Sequence, residues 1–374
     1  MTSDVSQPEK LGAGRVDIVD VCHDYSGTPV LRSVNLSVGA GEFVTLLGPS
    51  GSGKSTLLHI IAGLQSPTSG RILVDDVDIL PRPPQDRNVG LVFQNYALFP
   101  HLTAAKNVSF PLEVRKLDRE QAARRVEEML ALMDLGGLGH RLPGELSGGQ
   151  QQRVAIGRAL APLPGVLLLD EPLGALDKRL RQQLGREIRR IQQRTGVTAI
   201  YVTHDQEEAF TMSDRIAVMQ DGEIRQLGAP EEIYDAPTDQ FVAGFLGEMN
   251  SLTGRVASVD DGALVVDLDA GARIVVGRPA GVSAGDRVAC MIRPERVAVW
   301  PDGASPPDGA LAVGEGAVVE SVFLGGWRAI SLRWRDQLLS VRVAAHAAPR
   351  SSDRLGFGWS SSDVVVLNAE NKDV

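Results

Sequence analysis

Residues 42–64, EFVTLLGPSGSGKSTLLHIIAGL, place an apolar run, a loop of glycine and serine, and an apolar-striped run end to end. No other stretch limits the possible folds as much. The run around Phe43–Leu47 suits a strand buried on both faces of a parallel sheet. Leu57, Leu58, Ile60, Ile61 and Leu64 recur at helical spacing, so a helix should follow the loop. Between the two, Gly48, four residues, Gly53, Lys54 and Ser55 fit the P-loop pattern. Its glycines let backbone N–H groups converge on phosphates, its lysine reaches the β- and γ-phosphates, and its serine hydroxyl is a ligand for Mg2+. The residues expected to bind nucleotide are therefore Gly48, Pro49, Ser50, Gly51, Ser52, Gly53, Lys54, Ser55 and Thr56, with ATP and Mg2+ as the implied ligands. A structural turn would need neither the lysine nor the strand and helix around it.

The rest of the chain extends this α/β reading. VLLLDEP is an apolar strand ending in Asp170 and Glu171. At such a strand tip one carboxylate can sit near Mg2+ while the next deprotonates a water for attack on the γ-phosphate. Alone, an Asp-Glu pair would read as a solvated acidic turn. VTAIYVTHD is another buried strand and ends in His204, and ARRVEEMLALMDL is a helix with Val126, Met129, Leu130 and Met133 on one face. RIAVMQDGEIRQLG reads as a hairpin turning at Asp221-Gly222. ELSGGQQQRVAIGRALA puts Ser147 in the capping position of a helix beginning near Gly149, which creates a second anion-binding helix start, and a carboxylate at position 149 would face that anion.

Beyond about Phe245 helical periodicity gives way to short alternating segments with Asp-Gly and Gly-Gly turns, the pattern of a small β-barrel or sandwich. The expected organisation is a flexible N-terminus (1–14), a nucleotide-binding domain (15–239) and a C-terminal β domain (240–374). A chain of 374 residues suits two domains with their own cores. The two cysteines, Cys22 and Cys290, lie far apart in apolar surroundings and are expected as buried free thiols, which fits a reducing cytoplasm. No signal peptide is expected, and no apolar run approaches the roughly 20 residues that span a bilayer, so the chain is expected to be soluble by itself. A net charge of −9 argues against nucleic acid as the main partner.

With these motifs in hand, the chain resembles the ATP-binding subunits of ABC transporters. Besides the P-loop and VLLLDEP it carries LSGGQ, the family's signature (Leu146 to Gln150), Gln94 in LVFQNYALFPH, GALD ending in Asp177, and His204 in VTHD, all in the family's order. The resemblance implies an α/β P-loop ATPase domain of ABC type followed by an oligosaccharide-binding-like β domain of the TOBE kind. It implies Glu171 as catalytic base, Gln94 at the Mg2+ and the attacking water, Asp170 at the Mg2+, His204 at the γ-phosphate, and Asp177 in the D-loop. Tyr25 in HDYSG matches the adenine-stacking aromatic, with a plain surface tyrosine as the alternative. Ser147, Gly148, Gly149 and Gln150 would face ATP held by the P-loop of a second copy, so that two head-to-tail chains enclose two nucleotides.

A single ATPase domain with a β domain and no membrane helices resembles the engine of a bacterial importer. It implies a separate membrane permease as partner, a binding protein acting through that permease, and a place at the cytoplasmic face of the inner membrane. Tyr96 and Phe99, which read as exposed, would dock the permease. QNYALFPHLTAAKNVSFPLEVRK and FVAGFLGEMNSL resemble polyamine, ferric-iron, sulfate and phosphonate importers more than sugar importers, with spermidine/putrescine favoured. The alternative class is a soluble ABC ATPase in regulation or assembly. The β domain is left open between binding a regulator and extending a dimer interface.

Overall fold

The computed structural model describes residues 12–174, 177–260, 262–277, 281–347 and 353–369, so most of the expected N-terminal tail, and Ala175 and Leu176 of GALD, lie outside the described residues. The chain divides into two compact units between Glu231 and Glu232.

The first unit contains strands β1 (Val16–Tyr25), β2 (Thr28–Val38), β3 (Phe43–Leu47), β4 (Ser69–Val74), β5 (Val77–Asp78), β6 (Val89–Val92), β7 (Val166–Asp170), β8 (Thr198–Thr203), β9 (Arg215–Gln220) and β10 (Glu223–Gly228). Its helices are α1 (Lys54–Ala62), α2 (Ala104–Val114), α3 (Arg119–Leu132), α4 (Gly148–Leu160), α5 (Lys178–Thr195) and α6 (Gln206–Met212). A six-stranded sheet in the order β10-β9-β3-β8-β7-β6 is parallel except for β10. An antiparallel sheet in the order β2-β1-β4-β5 accompanies it. As expected, β3, β7 and β8 are buried along their whole length.

The period-two pleat sorts their side chains onto two cores. Val44, Leu46, Val166, Leu168, Ile200 and Val202 pack with α1 and the antiparallel sheet. Phe43, Leu167, Leu169, Ala199 and Tyr201 pack on the opposite face with residues of α2 to α5. The apolar runs show no alternation because both faces are covered.

The hairpin is present: Gln220 pairs with Glu223, and Asp221 and Gly222 take φ of 50° and 83°, the left-handed pair that a tight two-residue turn demands. The stripe on α1 is shorter than expected. Leu57, Leu58, Ile60 and Ile61 are buried, but the helix stops at Ala62 and leaves Leu64 49% exposed. Gly63, left-handed at φ 83°, makes that stop, with its N–H turning back to Ile60 O and that of Leu64 to His59 O; Arg87, 5% exposed, adds bonds from Nη1 to the carbonyls of Ile60 and Ile61. These bonds satisfy carbonyls that a helix end leaves without partners.

The second unit holds two five-stranded antiparallel sheets. One is formed by β11 (Asn250–Asp260), β12 (Ala263–Leu268), β13 (Arg273–Gly277), β14 (Arg287–Ile292) and β20 (Val364–Asn368), and the other by β15 (Ala298–Pro301), β16 (Leu311–Phe323), β17 (Trp327–Trp334), β18 (Gln337–Ala344) and β19 (Arg354–Trp359). Leu252, Val266, Cys290, Leu332, Phe357 and Trp359 share one core between them. Two short helices, α7 (Pro230–Asp235) and α8 (Gln240–Phe245), precede the strands. Both cysteines are free; Cys290 is fully buried and its thiol is pushed up to about 12 by desolvation, whereas Cys22 is only half-buried.

Candidate active site

The P-loop connects β3 to α1. Gly53 occupies the N-cap with φ 96° and ψ 0°, a left-handed conformation, and a Cβ there would lie 2.6 Å from Leu31 Cδ2 and 2.9 Å from Val30 O. Only glycine fits this turn. With no side chain at the cap, the first N–H groups of α1 are left for an external acceptor. Lys54, 5% exposed, donates from Nζ to the carbonyls of Gly48 and Pro49, both at 2.8 Å, and lies 3.4 Å from Ser52 Oγ. Burial holds its pKa below the usual lysine value, while Glu171 and Asp170 pull it back up. A buried ammonium satisfied only by neutral oxygens is a group prepared for an anion. Ser50 and Gly51 are exposed, Pro49, Ser55 and Thr56 are half-buried, and Gly48 and Ser52 are buried beneath them.

The tips of β7 and β8 complete the centre. Ser55 Oγ donates to Asp170 Oδ1 at 2.8 Å. The other carboxylate oxygen lies 3.2 Å from His59 Nε2 without the alignment of a hydrogen bond. This hydroxyl–carboxylate pair is hard oxygen chemistry of the kind that suits Mg2+. Among the described residues no group of three or more His, Cys, Asp or Glu side chains gathers as a cage. An ion carried in with phosphates needs none, because the phosphates supply ligands themselves.

Glu171 has φ 42°, an uncommon conformation for a non-glycine residue at a site of function. Its Oε2 accepts from Gln94 Nε2 at 3.3 Å and its Oε1 lies 3.4 Å from His204 Nδ1. The three catalytic candidates therefore meet at one carboxylate, and His204, 57% exposed, stays open toward solvent. Tyr25 is 47% exposed with its ring edge-on to His23, and its hydroxyl donates to Gln65 Oε1 at 2.9 Å.

Ser147 caps α4 in a capping box: its Oγ accepts from Gln150 N at 3.4 Å and Gln150 Oε1 accepts from Ser147 N at 2.9 Å. Ser147 is exposed and Gly148 half-buried. Gly149 is buried, and a Cβ on it would meet Leu184 Cδ2 at 3.3 Å, so position 149 turns inward and not toward an anion as expected. Among the described residues no hydrogen bond joins Ser147–Gln150 to the P-loop. Asp177 caps α5, with Oδ1 accepting from Leu180 N at 3.0 Å.

The loop after Gln94 corrects a further expectation. Tyr96 and Phe99 are half-buried, not exposed. Tyr96 packs on the helical core, and the Phe99 ring lies 4.5 Å from that of Phe110 and 5.8 Å from the Arg158 guanidinium. Arg158 also donates to Ala97 O at 2.7 Å and Tyr96 O at 2.8 Å. The fully buried Asn107 accepts from Phe99 N and donates to the carbonyls of Phe99, Leu102 and Thr103. Arg158 and Asn107 were not foreseen, because only the folded chain brings them to this loop. Glu208 was also missed: it is 8% exposed, and Tyr201 and Thr203 each donate to its Oε2 at 2.6 Å. Burial raises its pKa, while those two donors and Arg181 oppose the rise. Its place one helical turn before the apolar Met212 is the signal that could have found it.

Comparison with known proteins bears on this geometry. The ABC transporter family model matches residues 31–174 and the TOBE domain model matches residues 290–367. The chain is 48% identical over 379 residues to the spermidine/putrescine import ATP-binding protein PotA of Acidothermus cellulolyticus, covering 100% of this chain and 98% of the relative. It is 42% identical over 359 residues to the Fe(3+) ions import ATP-binding protein FbpC of Rhizobium etli, covering 95% and 98%. A solved dimeric ATP-binding cassette in a post-hydrolysis state with ADP and Pi is 36% identical, with a TM-score of 0.51 over 57% of this chain and 98% of that one.

Proposed function

The chain belongs to the ABC transporter family of import ATP-binding subunits, and from that premise we propose that it powers a spermidine or putrescine importer by hydrolysing ATP between two copies of itself. The observation carrying the hydrolytic half is the convergence of Gln94 and His204 on Glu171 beside Lys54 and Asp170. The near-complete alignment with the polyamine import relative supports the solute. Lys54 exchanges the carbonyls of Gly48 and Pro49 for nucleotide phosphates. Glu171 accepts the proton of the attacking water, and Gln94 and His204 fix the direction in which its oxygens point. Ser55, Asp170 and Gln94 would hold Mg2+, which neutralises phosphate charge when bound. Tyr25 offers the adenine a half-exposed ring.

Ser147 to Gln150 serve the nucleotide of the second copy, a reading supported by the absence, among the described residues, of a hydrogen bond to their own P-loop and by the dimeric form of the similar cassettes. Among the described residues no helix is long and apolar enough to cross a membrane. By analogy with the import ATP-binding relatives, the subunit would work from the cytoplasmic face of the cell membrane, through a permease fed by a binding protein. The iron-import relative favours ferric iron as the second reading. Deleting the gene and following uptake of labelled putrescine, spermidine and ferric iron separates the two: loss of polyamine uptake alone is expected, and loss of iron uptake alone would replace this reading with the second.

A further inference from the structure

His204 is 57% exposed, yet the residues on both sides of it are held. Thr203 Oγ1 accepts from Asp205 N at 3.0 Å and donates to Glu208 Oε2 at 2.6 Å, so one hydroxyl spans His204. Tyr201, fully buried on β8, donates to the same carboxylate oxygen at 2.6 Å. On the far side, Asp205 Oδ1 accepts from Glu207 N at 2.8 Å and from Glu208 N at 3.3 Å, while its Oδ2 takes Arg181 Nη1 at 2.7 Å. Arg181 Nε lies 3.7 Å from Glu208 Oε1, which brings both carboxylates to one guanidinium. Arg181 stands on the first turn of α5, and its N–H donates to the carbonyl of Asp177 at 2.9 Å.

We infer that Glu208, with Arg181, is a positioning residue for His204: it locks the turn carrying the histidine to β8 on one side and to the helix capped by Asp177 on the other. The inference rests on the reading of His204 as a group that orients Glu171 at the nucleotide. A buried carboxylate is costly unless its oxygens are filled. Here two hydroxyls of β8 converge on one oxygen, and the second of them also holds the residue after His204.

The test uses the full-length protein and reads kcat, KM for ATP and the stoichiometry of nucleotide binding. Glu208→Ala should lower kcat about tenfold or more while KM stays within about threefold and binding stoichiometry stays full, the signature of a defect in the chemical step. Glu208→Gln, whose amide oxygen still accepts from Tyr201 and Thr203, should restore most of the rate. His204→Ala combined with Glu208→Ala should be no slower than His204→Ala alone, because a residue acting only through another adds nothing once that one is gone. Should Glu208→Ala fail to fold, Thr203→Val, which removes the hydroxyl bridging His204 at constant shape, must show the same loss of kcat at constant KM. Wild-type kcat in folded Glu208→Ala or Thr203→Val, or a double variant slower by the full product of the two single effects, would overturn the inference. A slow His204→Ala beside a fast Glu208→Ala sinks the inference alone, whereas a His204→Ala enzyme at wild-type rate removes the ground under both readings.

Discussion

Replacing Glu171 by glutamine separates proton acceptance from shape. The side chain contacts Gln94 Nε2 at 3.3 Å and His204 Nδ1 at 3.4 Å, both at the long end of hydrogen bonding. Such contacts contribute about 1 kcal/mol each at most, and the amide of glutamine keeps an oxygen for Gln94. Folding stability should therefore change by less than about 1 kcal/mol, a melting shift below about 4 °C for a domain of this size. The φ of 42° at this position is no harder for glutamine than for glutamate. The chemical step behaves differently, because removing a general base costs about a hundredfold to ten-thousandfold, or about 3–5 kcal/mol of barrier. Phosphate release at saturating ATP should fall by at least a hundredfold while equilibrium nucleotide binding stays within a few-fold of wild type. Turnover within about threefold of wild type, or binding lost in step with turnover, would refute the assignment of Glu171 as base.

Two further outcomes follow from the same geometry. Because burial depresses the Lys54 pKa and phosphates favour its charged form, nucleotide affinity should weaken as pH rises through that depressed value, before an ordinary lysine would titrate near about 10.4. The same shift costs folding stability at neutral pH, and that cost is relieved as pH rises; affinity by calorimetry that stays flat to about pH 10 would contradict it. Gly149→Asp should lower the melting temperature even without nucleotide, since it drives a carboxylate against buried Leu184 at a cost of about 1–3 kcal/mol, and an unchanged melt would show that position 149 does not face inward.

Much of the fold and the centre was legible because it depends on local signals. The apolar runs of β3, β7 and β8, the P-loop between strand and helix, and the Asp221-Gly222 turn are each set by a few adjacent residues. What the sequence hid depends on distant partners. Leu64 continues the periodicity of α1, yet the left-handed Gly63 turns the chain before it, and the bond that Arg87 gives Ile60 O comes from 27 residues away. Tyr96 and Phe99 look like exposed anchors, but Arg158 takes the Tyr96 carbonyl across 62 residues and turns the loop onto the core. Gly149 looks like part of an anion cradle, and only the approach of Leu184 reveals that its missing side chain leaves room for packing.

The central claim is that each nucleotide is shared between the P-loop of one copy and Ser147 to Gln150 of the other, and a covalently linked mixed dimer tests it most directly. One half carries Lys54→Ala. The other carries Ser147→Asp, which keeps a good N-cap for α4 while placing a negative charge where an incoming γ-phosphate would meet the helix. Both halves carry Glu171→Gln, so that bound ATP is not consumed. If sites form between copies, the intact P-loop of one half meets the intact helix start of the other, giving one whole site and one doubly broken site. Filtration with labelled ATP should then find one occluded nucleotide per mixed dimer, against two in the dimer carrying Glu171→Gln alone. No occluded ATP in a folded mixed dimer, under conditions where the reference dimer holds two, would contradict the account.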